Sequence, residues 1–164
     1  MAAAHEAGPA DVPVRRPERP EDAPFLRALF AAAQGTPLEG LPAPLRALLL
    51  DQGFAGQAAT YRALYPQACH EIVEAGGVPV GRLVTARGAA LTVVDVALLP
   101  PWQGRGLGTR LLGEVMAEAA RLGLPVHLTV AQGNAGARRL YARLGFRPVA
   151  QTDLTLDLAW SPAP

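Results

Sequence analysis

The chain has 164 residues, of which 50% are hydrophobic and 18% are charged, so it is long enough to bury a substantial core as one domain. Fifteen arginines oppose 14 acidic residues for a net charge of +1, a balance that argues against a nucleic-acid binder or a binder of anionic membranes. One cysteine allows no internal disulfide, and we find no secretion signal and no apolar run long enough to span a bilayer. We therefore expect a cytoplasmic enzyme or binding domain.

The N-terminal part of the chain is predicted to be a tail followed by strands and helices. Ala, Gly and Pro dominate residues 1–13, which we expect to form a flexible tail. No linker, repeat or low-complexity block divides residues 14–160, which we expect to form a single domain. Hydrophobic spacing and the positions of Pro and Gly predict a strand at 14–16, a helix from Glu21 or Asp22, a helix at 43–64 that Gly53 would interrupt, and a hairpin of strands 70–75 and 78–85.

The C-terminal part alternates strands and helices. A nearly unbroken apolar strand at 91–99 carries one charge, Asp95, and ends at two prolines. We predict a buried strand at 125–130, a helix at 134–144 and closing strands at 146–149 and 153–158. An amphipathic helix lies between the strands at 91–99 and 125–130. Its inward face is predicted to hold Leu111, Leu112, Val115, Met116, Ala119 and Leu122. The order of elements predicts an α/β fold with a mixed sheet.

A glycine-rich turn, LLPPWQGRGLGT at 98–109, joins the apolar strand to that helix. Glycines let the backbone approach a ligand closely, and the unpaired first amides of a helix favour a phosphate group. A P-loop would need a lysine, which this chain lacks. A dinucleotide fingerprint would need glycine where Thr109 stands, and an acidic residue about 20 positions further on, where none occurs. Both of these phosphate sites are therefore excluded.

Two segments together resemble a known family. Gln103, Gly106 and Gly108 match the pattern Q/R-x-x-G-x-G/A of the acyl-coenzyme A site in the GNAT superfamily of acetyl-CoA-dependent N-acetyltransferases. The segment NAGARRLYARLGF at 134–146 is similar to the N-x-x-A-x-x-L-Y-x-x-x-G-F segment of the same family. The resemblance covers residues 14–158. It implies a mixed, mostly antiparallel central sheet, flanked by helices, in which the strands at 91–99 and 125–130 splay apart to admit the cofactor.

The resemblance also implies where acetyl-CoA would bind as cosubstrate, with no metal. Asn134 would contact the pantetheine region, and Tyr141 would lie near the sulfur and protonate the departing thiolate. Backbone groups of Val96, Ala97 and Leu98 would pair with the pantetheine arm like an added strand, and an amide near the end of that strand would stabilise the carbonyl oxygen. The amides that would hold the pyrophosphate belong to Gln103, Gly104, Arg105, Gly106, Leu107, Gly108 and Thr109.

Several residues have more than one interpretation. Asp95 is a candidate base, a substrate anchor, or the structural partner of an arginine such as Arg82, and we favour the last because a carboxylate on a central strand is costly unless it is paired. Asn134 can also cap a helix. Thr129 stands where relatives that acetylate protein N-termini often carry glutamate, which argues against that mechanism. Cys69 is expected to be a small buried residue.

The sequence thus predicts transfer of an acetyl group to a primary amine of a small molecule or peptide by direct attack. The alternatives are a noncatalytic acyl-CoA sensor, an enzyme for a longer acyl group, and a general binder of phosphate ligands. No nucleic-acid or membrane partner is expected. A homodimer is left open, with the strand at 155–160 as an available edge. The acceptor is expected near 34–41 and 51–65, where Phe54, Tyr61 and Tyr65 are candidate wall residues.

Overall fold

The computed structural model describes residues 12–34 and 38–163, which form one seven-stranded sheet and four α-helices. Residues 1–11 of the predicted tail lie outside the described residues. The strands are β1 (Val14–Pro17), β2 (Cys69–Ala75), β3 (Val78–Arg87), β4 (Leu91–Leu98), β5 (Val126–Ala131), β6 (Arg147–Gln151) and β7 (Thr155–Trp160). The helices are α1 (Ala23–Gln34), α2 (Ala43–Leu64), α3 (Leu107–Leu122) and α4 (Ala135–Arg143). Within the described ranges, no helix has the length and apolarity needed to cross a membrane.

The strands lie in the order β1-β2-β3-β4-β5-β7-β6, and every neighbouring pair is antiparallel except β4 and β5, which are parallel. The predicted mixed, mostly antiparallel sheet is therefore confirmed. The expectation that the strand at 155–160 forms an edge is wrong, because β7 pairs with β5 on one side and with β6 on the other. At that end of the sheet, β6 is the edge strand.

The main core lies between the sheet and α3. Leu111, Leu112, Val115 and Ala119 are buried there, as their spacing predicts. Leu122 is 38% exposed, so its predicted inward position is wrong. It ends α3 just before Gly123, whose positive φ turns the chain away from the helix.

The prediction that the strand at 125–130 is buried holds for only one of its two faces. Along β5, buried and exposed residues alternate, so only one face of this strand packs against the core. Such alternation is typical of a strand with one solvated face. Its exposed residues are His127, Thr129 and Ala131.

The opposite face of the sheet carries α1, with Leu26 and Leu29 buried, and α2 packs against α1. α2 runs without interruption through Gly53, contrary to the interruption that its glycine suggested. A Cβ atom at Gly53 would lie 3.0 Å from Cζ of Phe30, and the Phe30 and Phe54 rings meet edge to face at 5.8 Å. Gly53 therefore serves the close approach of two helices and does not end one.

We expect Gly53→Ala to lower the free energy of unfolding by about 1 kcal/mol, because displacement of the Phe30 ring outweighs the gain in helix propensity. Gly56→Ala is the matched control on the same helix, since nothing lies within 4 Å of its Cβ position. That variant should gain about 0.5–1 kcal/mol. Urea denaturation of both proteins measures the difference, and equal stabilisation by the two substitutions would contradict a tight contact at Gly53.

Candidate active site

A wedge-shaped opening separates the two parallel strands at the centre of the sheet. β4 and β5 pair only through Leu91↔Val126, Thr92↔His127 and Val93↔Leu128, and beyond these residues the strands diverge. A β-bulge accompanies the divergence, because the register of β4 on β3 skips Val94. The predicted splaying of the two central strands is confirmed.

A cavity of about 160 Å³ lies in this opening. It brings together Asp95 of β4, Asn134 before α4, and Tyr141 within α4, three residues that the sequence had singled out from separate segments. The remaining lining residues come from the two diverging strands and are Val93, Val94, Val96, Leu128, Thr129, Val130 and Ala131.

The edge of β4 that faces the opening has free backbone groups. The Leu99 amide donates to the Val80 carbonyl at 2.9 Å, so the alternation of a strand directs the Ala97 backbone towards β3 as well. The same alternation directs the backbone groups of Val96 and Leu98 into the opening. The Leu98 carbonyl accepts a hydrogen bond from the Gln103 side-chain amide at 2.8 Å. The Val96 amide, the Val96 carbonyl and the Leu98 amide remain available to a ligand.

The glycine-rich turn supplies a second set of free donors. Gly104 and Gly106 have φ values of 72° and 81°, in the left-handed region that glycine tolerates best. The first bond of α3 runs from the Arg110 amide to the Gly106 carbonyl at 3.0 Å, and the Gln103 amide donates to Pro100 at 3.2 Å. Within the part of the chain that the structure describes, none of the six amides at 104–109 donates to the protein. Together with the positive end of the α3 dipole, these amides are suited to bind an anion.

Neighbouring side chains hold this turn in place. The Arg105 guanidinium lies 5.0 Å from the centroid of the Trp102 ring, a cation–π distance. Leu107 is buried, whereas Thr109 is exposed. A Cβ atom at Gly108 would lie 3.3 Å from Cδ2 of Leu140, so the first turn of α3 packs closely against α4. The anion site is thereby fixed beside the helix that carries Tyr141.

Tyr141 presents its hydroxyl to the cavity. The side chain is almost fully buried, and its ring meets Phe146 edge to face at 5.8 Å. The hydroxyl forms no hydrogen bond with the described residues but is not sealed from solvent, and Tyr141 lines the opening. Burial, and to a smaller extent the charge of Asp95, raises the pKa of the Tyr141 phenol above its usual range. The phenol therefore keeps its proton at neutral pH.

Asp95 forms an ion pair with Arg82, which confirms the structural partnership that the sequence suggested. Nε of Arg82 donates to Oδ2 of Asp95 at 3.1 Å, and Nη2 donates to the same oxygen. The other carboxylate oxygen, Oδ1, has no hydrogen-bond partner among the described residues. Asp95 itself lines the cavity, so its ion pair with Arg82 lies at the border of the opening.

Two residues of α2 hold Arg82 from the other side. Gln57 accepts a hydrogen bond from Nη2 of Arg82 at 2.7 Å, and Cζ of Arg82 lies 5.7 Å from the centroid of the Tyr61 ring. Burial first, and then the charge of Asp95, raises the pKa of Tyr61 to about 12. Gln57 was not identified from the sequence. It lies 25 residues from Arg82 and no local pattern marks it.

Other candidate residues take simpler positions. Oδ1 of Asn134 accepts a hydrogen bond from the Ala137 amide at 3.1 Å and caps α4. The side-chain nitrogen of Asn134 forms no hydrogen bond with the described residues. Thr129 donates to Asp157 at 2.6 Å. Cys69 is exposed at the start of β2, so the expectation that it is buried is wrong. Tyr65 lines none of the cavities described, and part of the predicted acceptor region, 35–37, lies outside the described residues.

An open wedge between parallel strands, with an anion-binding turn beside it, is the arrangement expected of an acyl-CoA-dependent transferase. Residues 40–146 match the model of the Acetyltransferase (GNAT) family, and the chain belongs to that family. A comparison with curated protein sequences finds no match.

Solved structures share the fold at low sequence identity. PaiA N-acetyltransferase from Thermoplasma acidophilum, in complex with coenzyme A, is 13% identical over 92% of this chain and 99% of its own, with a TM-score of 0.70. An acetyltransferase from Thermus thermophilus is 22% identical over 91% and 96%, with a TM-score of 0.66. The ribosomal-protein-S18-alanine N-acetyltransferase from Escherichia coli is 19% identical over 93% and 96%, also at 0.66.

Proposed function

We propose that this protein transfers an acetyl group from acetyl-CoA to a primary amine of a small molecule or peptide by direct attack. The observation that carries the proposal is the run of six unpaired amides at 104–109, placed next to the opening between β4 and β5. Family membership and a structural neighbour that is a complex with coenzyme A support the choice of cosubstrate. Thr129 stands where relatives that acetylate protein N-termini often carry glutamate, which argues against a protein N-terminus as the acceptor.

The proposed donor site uses backbone groups for most of its contacts. The amides at 104–109 would hold the pyrophosphate, which accepts several hydrogen bonds and is favoured by the helix dipole. The backbone groups of Val96 would pair with the amide groups of the pantetheine arm as an added strand does. The side-chain NH2 group of Asn134 would donate a hydrogen bond to the same arm. Gln103 acts indirectly, because it closes the turn onto Leu98.

When bound, acetyl-CoA supplies an activated thioester at the cavity in the wedge. The acceptor must attack as a neutral amine, although a free alkyl amine has a pKa of about 10. The acceptor amine must therefore lose a proton before it attacks. We place the free Oδ1 of Asp95 as the group that accepts this proton, directly or through a water molecule. The amide of Leu98 would donate to the carbonyl oxygen as negative charge builds there.

Tyr141 completes the transfer. As the new N–C bond forms and the C–S bond breaks, the sulfur leaves as a thiolate, and the Tyr141 hydroxyl donates its proton to that sulfur. The products are the acetylated amine and coenzyme A with a free thiol. The attacking nitrogen loses its second proton to solvent as it becomes an amide, Asp95 releases the proton it accepted, and solvent returns a proton to the Tyr141 oxygen. Tyr141 suits this role because its raised pKa keeps the phenol protonated until the thiolate appears.

Asp95→Asn tests the proposed base. We expect kcat/KM for the acceptor to fall by about 100-fold with an altered pH dependence, and the free energy of unfolding to fall by about 2 kcal/mol because Arg82 loses its counterion. Gln57→Ala is the matched control, since it loosens Arg82 without changing the carboxylate. If both variants lose stability and neither alters the pH–rate profile, Asp95 is a structural partner only.

The proposed function itself is tested by isothermal titration with acetyl-CoA, followed by a thiol-release assay over a panel of amines. Binding with turnover is the expected result. Binding without turnover on any amine would favour the noncatalytic acyl-CoA sensor instead. A protein that binds no acetyl-CoA would overturn the proposal, because every role above depends on the donor site.

A further inference from the structure

A second cavity, of about 570 Å³, lies on the sheet face that carries α1 and α2. We call it the acceptor cavity. Its volume is within the range of small-molecule sites. Leu26, Phe54 and Ala58 give it an apolar wall, and Arg19 and Arg62 line it with guanidinium groups. The cavity is therefore suited to a ligand that is partly apolar and partly charged.

Arg82 joins the acceptor cavity to the wedge. Its side chain lines the acceptor cavity, and its guanidinium binds Asp95, which lines the wedge from the neighbouring strand. β3 and β4 are adjacent strands, whose backbones lie about 4.8 Å apart. The Arg82–Asp95 ion pair therefore connects the lining of the acceptor cavity to the lining of the wedge.

Three arginines line the acceptor cavity, and two of them, Arg19 and Arg62, form no ion pair with any described residue. One acidic residue, Glu18, also lines the cavity, and it lies 3.8 Å from Nδ1 of His70. Because Arg82 is paired with Asp95, the lining retains two guanidinium groups against the one carboxylate of Glu18. This excess of positive charge beside an apolar wall attracts an anionic ligand, and planar guanidinium donors suit a carboxylate or a phosphate.

The position of Arg19 is fixed by the backbone. Its amide donates to Oδ2 of Asp22 at 2.7 Å, and the Asp22 carboxylate is held in turn by both terminal nitrogens of Arg16 at 2.7 and 2.8 Å. The Arg16 hydrogen bonds lower the pKa of Asp22 to about 2, so this anchor stays ionised at neutral pH. Arg19 therefore starts from a rigid backbone, which reduces the entropy lost when its side chain binds an anion.

We infer that the acceptor amine carries an anionic group, a carboxylate or a phosphate, at the end opposite its amine, with an apolar body between them. The inference rests on the proposed function and adds the substrate class. In this arrangement Arg19 and Arg62 bind the anion, Leu26 and Phe54 contact the apolar part, and the amine lies at Asp95. The charge of the acceptor determines its orientation, because only one end of the molecule is attracted to the arginines.

Matched pairs of acceptors test the inference. Ala-Leu with a free carboxylate is compared with Ala-Leu amide, and an aminoalkyl phosphate with the corresponding amino alcohol, in the thiol-release assay. We expect kcat/KM to be at least 10-fold higher for the anionic member of at least one pair, and this preference to shrink as salt is added. The pair that shows the preference identifies the anion as carboxylate or phosphate. Equal rates within both pairs would overturn the inference.

Two variants test whether Arg19 and Arg62 cause the preference for an anionic acceptor. Arg19→Gln and Arg62→Gln should each raise KM for the anionic acceptor by about 10-fold, and each should reduce the preference for that acceptor over its neutral partner. Arg46→Gln is the matched control, because Arg46 lies on the same helix as Arg62 and does not line the acceptor cavity. A preference that survives in both test variants would place the anion elsewhere and overturn the inference.

The two proposals fail in different ways. Acetyl-CoA affinity is measured on the same protein samples by titration. If acetyl-CoA does not bind, the proposed function is wrong and the inference about its acceptor is overturned with it. If acetyl-CoA binds and neutral amines are acetylated as fast as anionic ones, the proposed function stands and only the acceptor class is wrong.

Discussion

Gly108→Asp is expected to weaken acetyl-CoA binding by roughly 100-fold, which corresponds to about 2.7 kcal/mol. The substitution places a carboxylate in the first turn of α3, among the six free amides that would hold the pyrophosphate. Like charges brought together in a binding site cost several kcal/mol. The same carboxylate interacts favourably with the helix dipole. The new Cβ would lie 3.3 Å from Cδ2 of Leu140, which is the end of a flexible side chain that can shift, so the protein itself should stay folded. Titration with acetyl-CoA measures the affinity, and thermal denaturation checks the fold.

Gly113→Asp is the control for this substitution. Gly113 lies on the same helix and is exposed, with nothing within 4 Å of its Cβ position. The substitution introduces the same charge more than one helical turn from Gly108 and should change the affinity by less than about 3-fold, since exposed charges interact weakly in water and are further screened by salt. If Gly108→Asp binds acetyl-CoA as tightly as Gly113→Asp does, the pyrophosphate does not lie at this turn.

Tyr141→Phe is expected to lower kcat by about 100-fold, while the Kd for acetyl-CoA changes by less than about 3-fold. The variant loses only the hydroxyl that would protonate the thiolate and keeps the ring that packs against Phe146. Because that hydroxyl has no hydrogen-bond partner among the described residues, its removal should cost little stability. Single-turnover kinetics with titrated binding separates the rate of transfer from the affinity.

Tyr65→Phe removes a hydroxyl from a tyrosine that lines neither the wedge nor the acceptor cavity, and serves as the control. It should leave kcat unchanged. An unaltered rate in Tyr141→Phe would remove this residue as the proton donor and leave that step to solvent. A large loss of acetyl-CoA affinity would instead make Tyr141 a binding residue.

The parts of the site formed by neighbouring residues were readable from the sequence. Two prolines end β4, and glycines follow where the backbone must take positive φ, so the turn at 98–109 and its free amides could be predicted. Asn134 is the first residue before α4 and caps it, as its type indicates. The resemblance of two segments to the GNAT superfamily predicted the open wedge, which hydrophobic periodicity alone does not predict.

The parts of the site and fold that depend on residues distant in sequence could not be predicted. Arg82 was named as a partner of Asp95, but its contacts with Gln57 and Tyr61 depend on how α2 lies across the sheet. The edge position of β6 depends on strand order, which the sequence did not determine for two closing strands of similar length. Arg19 and Arg62 meet around one cavity only after folding brings the two segments together. Hydrophobic spacing reports which face of an element is buried and not which element covers it.

The narrow seam between β4 and β5 gives the donor a structural task as well as a chemical one. With only three residue pairs across it, the sheet is nearly two sheets, β1 to β4 and β5 to β7. A molecule that pairs with β4 and also contacts α4 would bridge the two halves and complete the layer. Ligand linkage then adds about 2.7 kcal/mol of stability at a concentration about 100 times its Kd. If acetyl-CoA is the ligand at this seam, its binding would therefore also hold the two halves of the sheet together.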